Sequence, residues 1–219
     1  DLLAGHGIGW VQDRAQSVDP ERRQLQLEGG QTLNYSALVL ACGARPDSFG
    51  IPGVTEHSLS FHSLDDVERL RRIVRSLRQR REPLQRLAVV GAGPSGVELA
   101  CKLADLLDGA ATVELIERGE RCLPHAKAFN RAQAELALQR RDVRLRCRCS
   151  VEAVADKQLH LKLEETQQID TLAVEAVIWT AGQRANPPAG PLPLDGRGRL
   201  LCNSELQLEG LPEIFALGD

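Results

Sequence analysis

The chain has 219 residues, 42% of them hydrophobic and 3% aromatic, and a formal charge of −3. That length allows a substantial core in one large domain or two small ones, while the acidic balance and the scarcity of rings exclude a nucleic-acid partner held by phosphate charge or base stacking. No apolar stretch approaches membrane-spanning length and no signal-peptide pattern opens the chain.

Residues 8–44 read as a set of strands. Val11-Gln12-Asp13 and Leu25-Gln26-Leu27 flank the turn signal Asp19-Pro20, and Glu28-Gly29-Gly30-Gln31 makes a second turn before Leu33-Asn34-Tyr35. Ala37-Leu38-Val39-Leu40-Ala41 is a near-continuous apolar run, the pattern of a strand buried on both faces, and it ends in the small-residue turn Cys42-Gly43-Ala44. Beyond the rigid link Ile51-Pro52-Gly53, a helix is predicted to begin near Ser63. Leu64, Val67, Leu70, Val74 and Leu77 keep helical spacing, with acids in the first turn and arginines later. The run Arg69, Arg71, Arg72, Arg75, Arg78, Arg80 and Arg81 is either an anionic-surface contact or, more plainly, the solvated face of a helix whose charge order suits its dipole.

The next stretch organises the rest. Leu87-Ala88-Val89-Val90 runs into Gly91-Ala92-Gly93-Pro94-Ser95-Gly96, then Val97-Glu98-Leu99-Ala100, and after Thr112-Val113-Glu114-Leu115-Ile116 comes Glu117, 21 positions beyond Gly96. Strand, glycine turn, helix and strand with an acid at its tip is the context in which G-x-G-x-x-G predicts a dinucleotide site. Gly91 would permit the tight turn, Gly93 would let the backbone approach a pyrophosphate, and Gly96 would let the helix pack on the strand. The helix N-terminus then offers unpaired N–H groups to the diphosphate. Glu117 would accept hydrogen bonds from a ribose diol and repel a 2′-phosphate, favouring NADH over NADPH, with the adjacent Arg118 working against that preference. Ser95 and Glu98 also spell S-x-x-E, so one reading of Glu98 is a capping box.

Residues 126–139 suggest another helix, and Val143-Arg144-Leu145-Arg146 a third parallel strand. Val151-Glu152-Ala153-Val154 and Leu159-His160-Leu161-Lys162-Leu163 alternate like a small antiparallel meander, in which His160 reads as a solvent-face residue. Ala176-Val177-Ile178-Trp179 is another buried strand, closed by Thr180-Ala181-Gly182, and the chain ends Ile214-Phe215-Ala216-Leu217-Gly218-Asp219. The six cysteines, Cys42, Cys101, Cys122, Cys147, Cys149 and Cys202, contain no C-x-x-C and suit a reducing compartment. Cys147 and Cys149 lack the second ligand pair of a zinc site and read as ordinary strand residues, so no metal centre is predicted.

On these residues the chain resembles the two-dinucleotide flavoprotein superfamily, of pyridine nucleotide-disulfide oxidoreductase fold, over essentially its whole length. The resemblance implies an α/β chain in which a Rossmann-like NAD(P)H-binding domain, 56–190, is inserted in a split and here truncated FAD-binding domain, 1–55 and 191–219. Within the superfamily the likeness is to type II NADH:quinone dehydrogenases of the cyanobacterial kind. It is carried by the run from Gly91 to Ala100, by Leu115-Ile116-Glu117-Arg118 and by Trp179-Thr180-Ala181-Gly182.

NADH and FAD are the implied cofactors. Gly91, Ala92, Gly93, Pro94, Ser95, Gly96, Glu117, Arg118, Ala181 and Gly182 would bind on the NADH side, and Ala41, Cys42, Gly43, Gly218 and Asp219 on the FAD side. The family places the final Asp on the ribityl chain, although Glu209 stands here where its motif usually opens on threonine. Hydride would pass from nicotinamide C4 to flavin N5, and two electrons from the flavin to a quinone. Glu98 matches a family glutamate near nicotinamide and flavin, which is the catalytic reading beside the capping one. The resemblance also implies a cytoplasmic enzyme with peripheral contact to the cytoplasmic membrane face through regions outside these residues, and it allows a homodimer. Because the chain lacks Met and starts at Asp1, it is expected to be a piece of a longer protein. The family's first FAD glycine fingerprint would precede residue 1, so FAD binding by these residues alone is expected to be weak. A reductase of a disulfide or iron–sulfur protein, and a non-catalytic dinucleotide-binding redox sensor, stay open as alternatives.

Overall fold

The computed structural model describes residues 4–80 and 82–218. Two compact units share the chain: one is built from Asp1–Arg45 and Arg184–Asp219, the other from Pro46–Gln183.

In the continuous unit a four-residue helical turn, Val54–His57, comes first, and the main elements then follow in chain order: β1 (Ser58–Ser60), α1 (Leu64–Arg80), β2 (Arg86–Val90), α2 (Pro94–Leu107), β3 (Thr112–Ile116), α3 (Ala128–Gln139), β4 (Arg144–Arg146), β5 (Cys149–Ala155), β6 (Gln158–Leu163), β7 (Ile169–Ala173) and β8 (Ala176–Trp179). Five strands form one parallel sheet in the order β1-β8-β2-β3-β4, and β5, β6 and β7 form a separate antiparallel meander. The period of two along each central strand sends alternate side chains to opposite faces. Leu87, Val89, Val113, Leu115 and Ile178 pack with α1, α2 and α3 on one face. Ala88, Val90, Ile116, Val177 and Trp179 pack with the meander on the other. This is why β2 reads as an unbroken apolar run: both of its faces are covered. On the meander face Glu114 is wholly buried, with arginines from the two neighbouring strands around it: Arg146 at 2.9 Å, Arg144 at 3.5 Å and Arg86 at 3.7 Å.

The unit starts at Pro46 and ends at Gln183, whereas the sequence suggested 56 and 190. The residues after 46 are bound into it: Ile51 and Val54 join the meander-side core, Val154 donates its N–H to the Pro52 carbonyl at 2.9 Å, and Trp179 Nε1 donates to the Asp47 carbonyl at 2.8 Å.

Helix α1 starts where expected and carries a capping box. The Asp66 N–H donates to Ser63 Oγ at 3.2 Å, while Asp66 Oδ2 accepts the N–H groups of Ser63 and His62 at 3.0 and 3.1 Å and the Ser60 hydroxyl at 2.7 Å. Burial pushes the Asp66 carboxyl up, but these hydrogen bonds outweigh it and hold the group below the usual carboxylate range. Arg69, Arg71, Arg72, Arg75 and Arg78 are exposed and Arg80 meets Glu175 at 3.0 Å; Arg81 lies outside the described residues.

The other unit contains two small sheets. Ala15–Asp19, Gln24–Leu27 and Thr32–Asn34 pair antiparallel. Gln207–Leu208, Leu211–Ala216 and Leu38–Leu40 form the second sheet around Val18, Leu40, Leu208 and Ile214. Two expectations are corrected here. The first strand is 15–19 and not 11–13, because Asp13 serves the turn instead: its carboxylate accepts the N–H groups of Arg14 at 2.7 Å and Gly29 at 3.1 Å. Among the described residues Leu38–Leu40 is an edge strand with Val39 left 56% exposed, where burial on both faces was expected.

Candidate functional site

The end of β2 passes directly into the glycine turn. Gly91 has φ +100° and donates its N–H to the Ile116 carbonyl at 2.8 Å. A Cβ there would lie 2.9 Å from the Ala181 backbone, so glycine is required both by the left-handed φ and by the close approach of the turn after β8. Gly96 is constrained differently. A Cβ on it would collide with the Gly91 carbonyl and stand 2.8 Å from Thr180 Oγ1, so α2 packs on the turn itself and on Thr180, not simply on the strand. The Thr180 hydroxyl, read from sequence only as part of a small-residue turn, points to the carbonyls of Val90 and Gly91 at 2.8 and 3.0 Å and locks β8 to the turn.

Gly93 is the N-cap of α2, and a Cβ on it would meet nothing within 4 Å. No side chain caps this helix. Pro94 occupies its first position, which puts Ser95 inside the first turn, where its hydroxyl does not cap. The capping box expected from Ser95 and Glu98 is therefore absent, whereas the Ser63–Asp66 pair described above does form one. Ser95 and Glu98 are both exposed. What remains is a helix N-terminus with backbone donors and an open approach over Gly93, the arrangement that favours an anion.

Glu117, at the tip of β3, folds back over this turn. Its Oε2 accepts the Ala92 N–H at 2.8 Å and its Oε1 the Gly119 N–H at 2.7 Å. Ala92 is buried and faces inward, offering only its backbone, while the exposed Arg118 side chain follows. A cleft of ≈ 380 Å³ runs over the strand ends, lined by Gly91, Gly93, Glu117, Arg118, Thr180, Ala181 and Gly182 together with Phe49, Ser150 and Trp179. The last three were not picked out as site residues from sequence. Pro94, Ser95 and Gly96 lie on α2 beside the cleft and do not line it.

Cys149 is buried in β5, but Cys147 falls in the link between β4 and β5 and not in a strand. Burial, with Cys122 and Glu117 nearby, pushes the Cys147 thiol up to about 11, which leaves it protonated and weakly nucleophilic at neutral pH.

In the other unit Cys42, Gly43 and Gly218 line a second cavity of ≈ 280 Å³, together with Asn186, Asp195 and Arg199. Gly43 and Gly218 have φ +63° and +98°, and a Cβ on either would meet nothing within 4 Å. Hydrogen bonds from Arg199, first from its backbone at 2.9 Å, hold the Asp195 carboxyl below the usual range. Ala41 is exposed beside this cavity without lining it, and Asp219 lies outside the described residues.

The family model described as pyridine nucleotide-disulphide oxidoreductase matches residues 3–219. Demethylphylloquinone reductase NdbB of Synechocystis sp. is 34% identical across 100% of this chain and 55% of its own length. The chloroplastic/mitochondrial alternative NAD(P)H-ubiquinone oxidoreductase C1 of Arabidopsis thaliana is 30% identical over 100% of this chain and 48% of its own. Among solved structures, NDH2 from Plasmodium falciparum in complex with NADH superposes with a TM-score of 0.85 at 21% identity, covering 95% of this chain and 49% of that one. That last likeness is one of fold. The chain spans about half the length of the curated relatives it matches.

Proposed function

The chain belongs to the pyridine nucleotide-disulphide oxidoreductase family, and from that premise we propose that the protein carrying it is a flavin-dependent NADH oxidoreductase that delivers electrons to a quinone. The observation that carries this reading is the cleft at the end of β2, where an uncapped helix N-terminus, the open space over Gly93 and the Glu117 carboxylate converge.

In this reading the N–H groups of Gly93, Ser95 and Gly96 at the start of α2 bind the diphosphate of NADH, while Gly91, Ala92 and Pro94, whose backbone donors are already paired or missing, shape the turn around it. Glu117 keeps acceptor capacity on each oxygen beyond its two backbone donors, and this serves the adenosine ribose diol, with Arg118 beside it. Ala181 and Gly182 border the same cleft. Glu98 acts between nicotinamide and flavin, since capping does not claim its carboxylate. The open left-handed positions Gly43 and Gly218 fit a bound flavin; with Ala41, Cys42 and Asp219 they would hold FAD. When bound, FAD supplies the two-electron relay between nicotinamide and acceptor, while the chain aligns and shields the reacting groups.

A quinone as acceptor is supported by the relatives whose names specify phylloquinone or ubiquinone chemistry. Among the described residues no helix is long and apolar enough to cross a membrane. Peripheral contact with the cytoplasmic membrane face, through regions outside these residues, and association of two copies complete the proposal. The test is NADH oxidation by the full-length protein with a soluble quinone or a disulfide as acceptor. Quinone-dependent turnover is expected, and turnover with the disulfide alone would overturn the reading.

A further inference from the structure

Phe49 is an aromatic side chain held where neither backbone preference nor burial explains it. Its φ is +52° and it stays 61% exposed, and a left-handed backbone is costly for a bulky non-glycine residue. Several contacts fix it there. Its N–H donates to Asp47 Oδ1 at 2.8 Å, the Asp47 carbonyl accepts Trp179 Nε1 at 2.8 Å, and the Asp47 N–H reaches the Gly182 carbonyl at 3.4 Å. The outer edge of the ring occupies the space a Cβ at Gly182 would need, and Gly182 itself sits at φ +71°. A glycine is thus kept at the tip of β8 so that this ring can lie against it and face the cleft.

The strand order says which part of a ligand it meets. Glu117 ends β3 on one side of β2, and Gly182 follows β8 on the other. With the ribose acid on the β3 side and the diphosphate over Gly93, the remaining half of a dinucleotide must run toward β8 and Phe49. We propose that Phe49 is the aromatic wall of the nicotinamide-riboside end of the cleft, packing against the flat pyridine. This rests on the NADH reading above and assigns the residue that holds the far end of that ligand.

The experiment is calorimetric titration of the full-length protein with NAD⁺ and with ADP-ribose, which keeps the adenosine and diphosphate but lacks the pyridine. Phe49→Leu should weaken NAD⁺ by about five- to tenfold and leave ADP-ribose unchanged, and Phe49→Tyr should restore the wild-type value. Unchanged NAD⁺ affinity in Phe49→Leu would overturn the proposal, and so would equal losses for the two ligands, which would make Phe49 a support for the loop. Wild-type protein that binds neither ligand would overturn the NADH reading and this inference together; wild-type binding with an indifferent Phe49→Leu overturns this inference alone.

Discussion

The Glu117 carboxylate accepts the N–H of Ala92 at 2.8 Å, so the acid at the tip of β3 is fastened to the middle of the glycine turn. Its second oxygen holds Gly119 at 2.7 Å. On the proposed NADH reading, coenzyme choice and the shape of the turn are linked through one side chain. Glu117→Ala should weaken NADH and narrow its advantage over NADPH, with Arg118 freed to meet a 2′-phosphate, and it should also cost about 1–3 kcal/mol of stability through two unpaired backbone donors. Parallel nucleotide titrations and urea unfolding check both halves. A full loss of NADH preference with no change in stability would mean the turn does not depend on Glu117.

Two glycines of the turn should respond oppositely to enlargement. At Gly93 a side chain meets no protein atom within 4 Å, so Gly93→Val should leave the melting temperature nearly unchanged and abolish NADH binding by filling the diphosphate approach. At Gly96 the new Cβ runs into the Gly91 carbonyl and Thr180 Oγ1, so Gly96→Ala should destabilise by about 1–3 kcal/mol before any ligand is added. Calorimetry and thermal melts of the two variants distinguish these outcomes.

With Gly93 as the N-cap and no side-chain cap on α2, Glu98 has no helix-start duty to lose. Glu98→Gln should shift stability by no more than about 0.5 kcal/mol, the usual range for an exposed site. If the carboxylate serves nicotinamide and flavin, turnover in the full-length enzyme should fall about tenfold or more, since 1.4 kcal/mol on the barrier is a factor of about ten. Normal quinone-coupled turnover would remove Glu98 from the mechanism.

Asp66 gives the fold a pH dependence. Its carboxyl is held below its ordinary value in the folded state, so its contribution is complete above the unfolded value of about 4 and is lost as the pH falls through the lower folded value. Asp66→Ala should cost about 1–2 kcal/mol at pH 7 through loss of the cap, and that deficit should shrink on acidification. Urea midpoints for wild type and variant at pH 7 and at about pH 3 should converge; a constant gap would contradict the assignment.

Glu114 has no exposure and three arginines within 4 Å. Glu114→Ala would leave those cations facing one another without their shared partner, at a cost of about 3–5 kcal/mol. Chemical denaturation is the direct measurement, and a loss under about 1 kcal/mol would show that solvent already screens the cluster.

The glycine turn and its flanks were legible because their signals are local: an apolar run, three glycines at fixed spacing and an acid shortly after. Ser95-x-x-Glu98 was legible as a string and wrong as a cap, because Pro94 claims the first helical position and moves the cap back to Gly93. Asp13 looked like part of a strand because its true partner, Gly29, is 16 residues away. Phe49 was invisible for the same reason on a larger scale. The loop that aims it is held by Trp179, whose bond to Asp47 spans 132 residues, and no local pattern announces such a contact. Ile51-Pro52-Gly53 reads as a link because its partners are distant in sequence: Pro52 is hydrogen-bonded to Val154 and Ile51 is packed on the meander-side core.

The alternation along β2 also governs how the unit comes apart. Leu87 and Val89 belong to the helical side while Ala88 and Val90 belong to the meander side, so neither layer can melt without stripping one face of the same strand. The amides of Arg86–Val90 should then exchange with solvent only through global opening of residues 46–183, and both layers should lose protection in a single cooperative step.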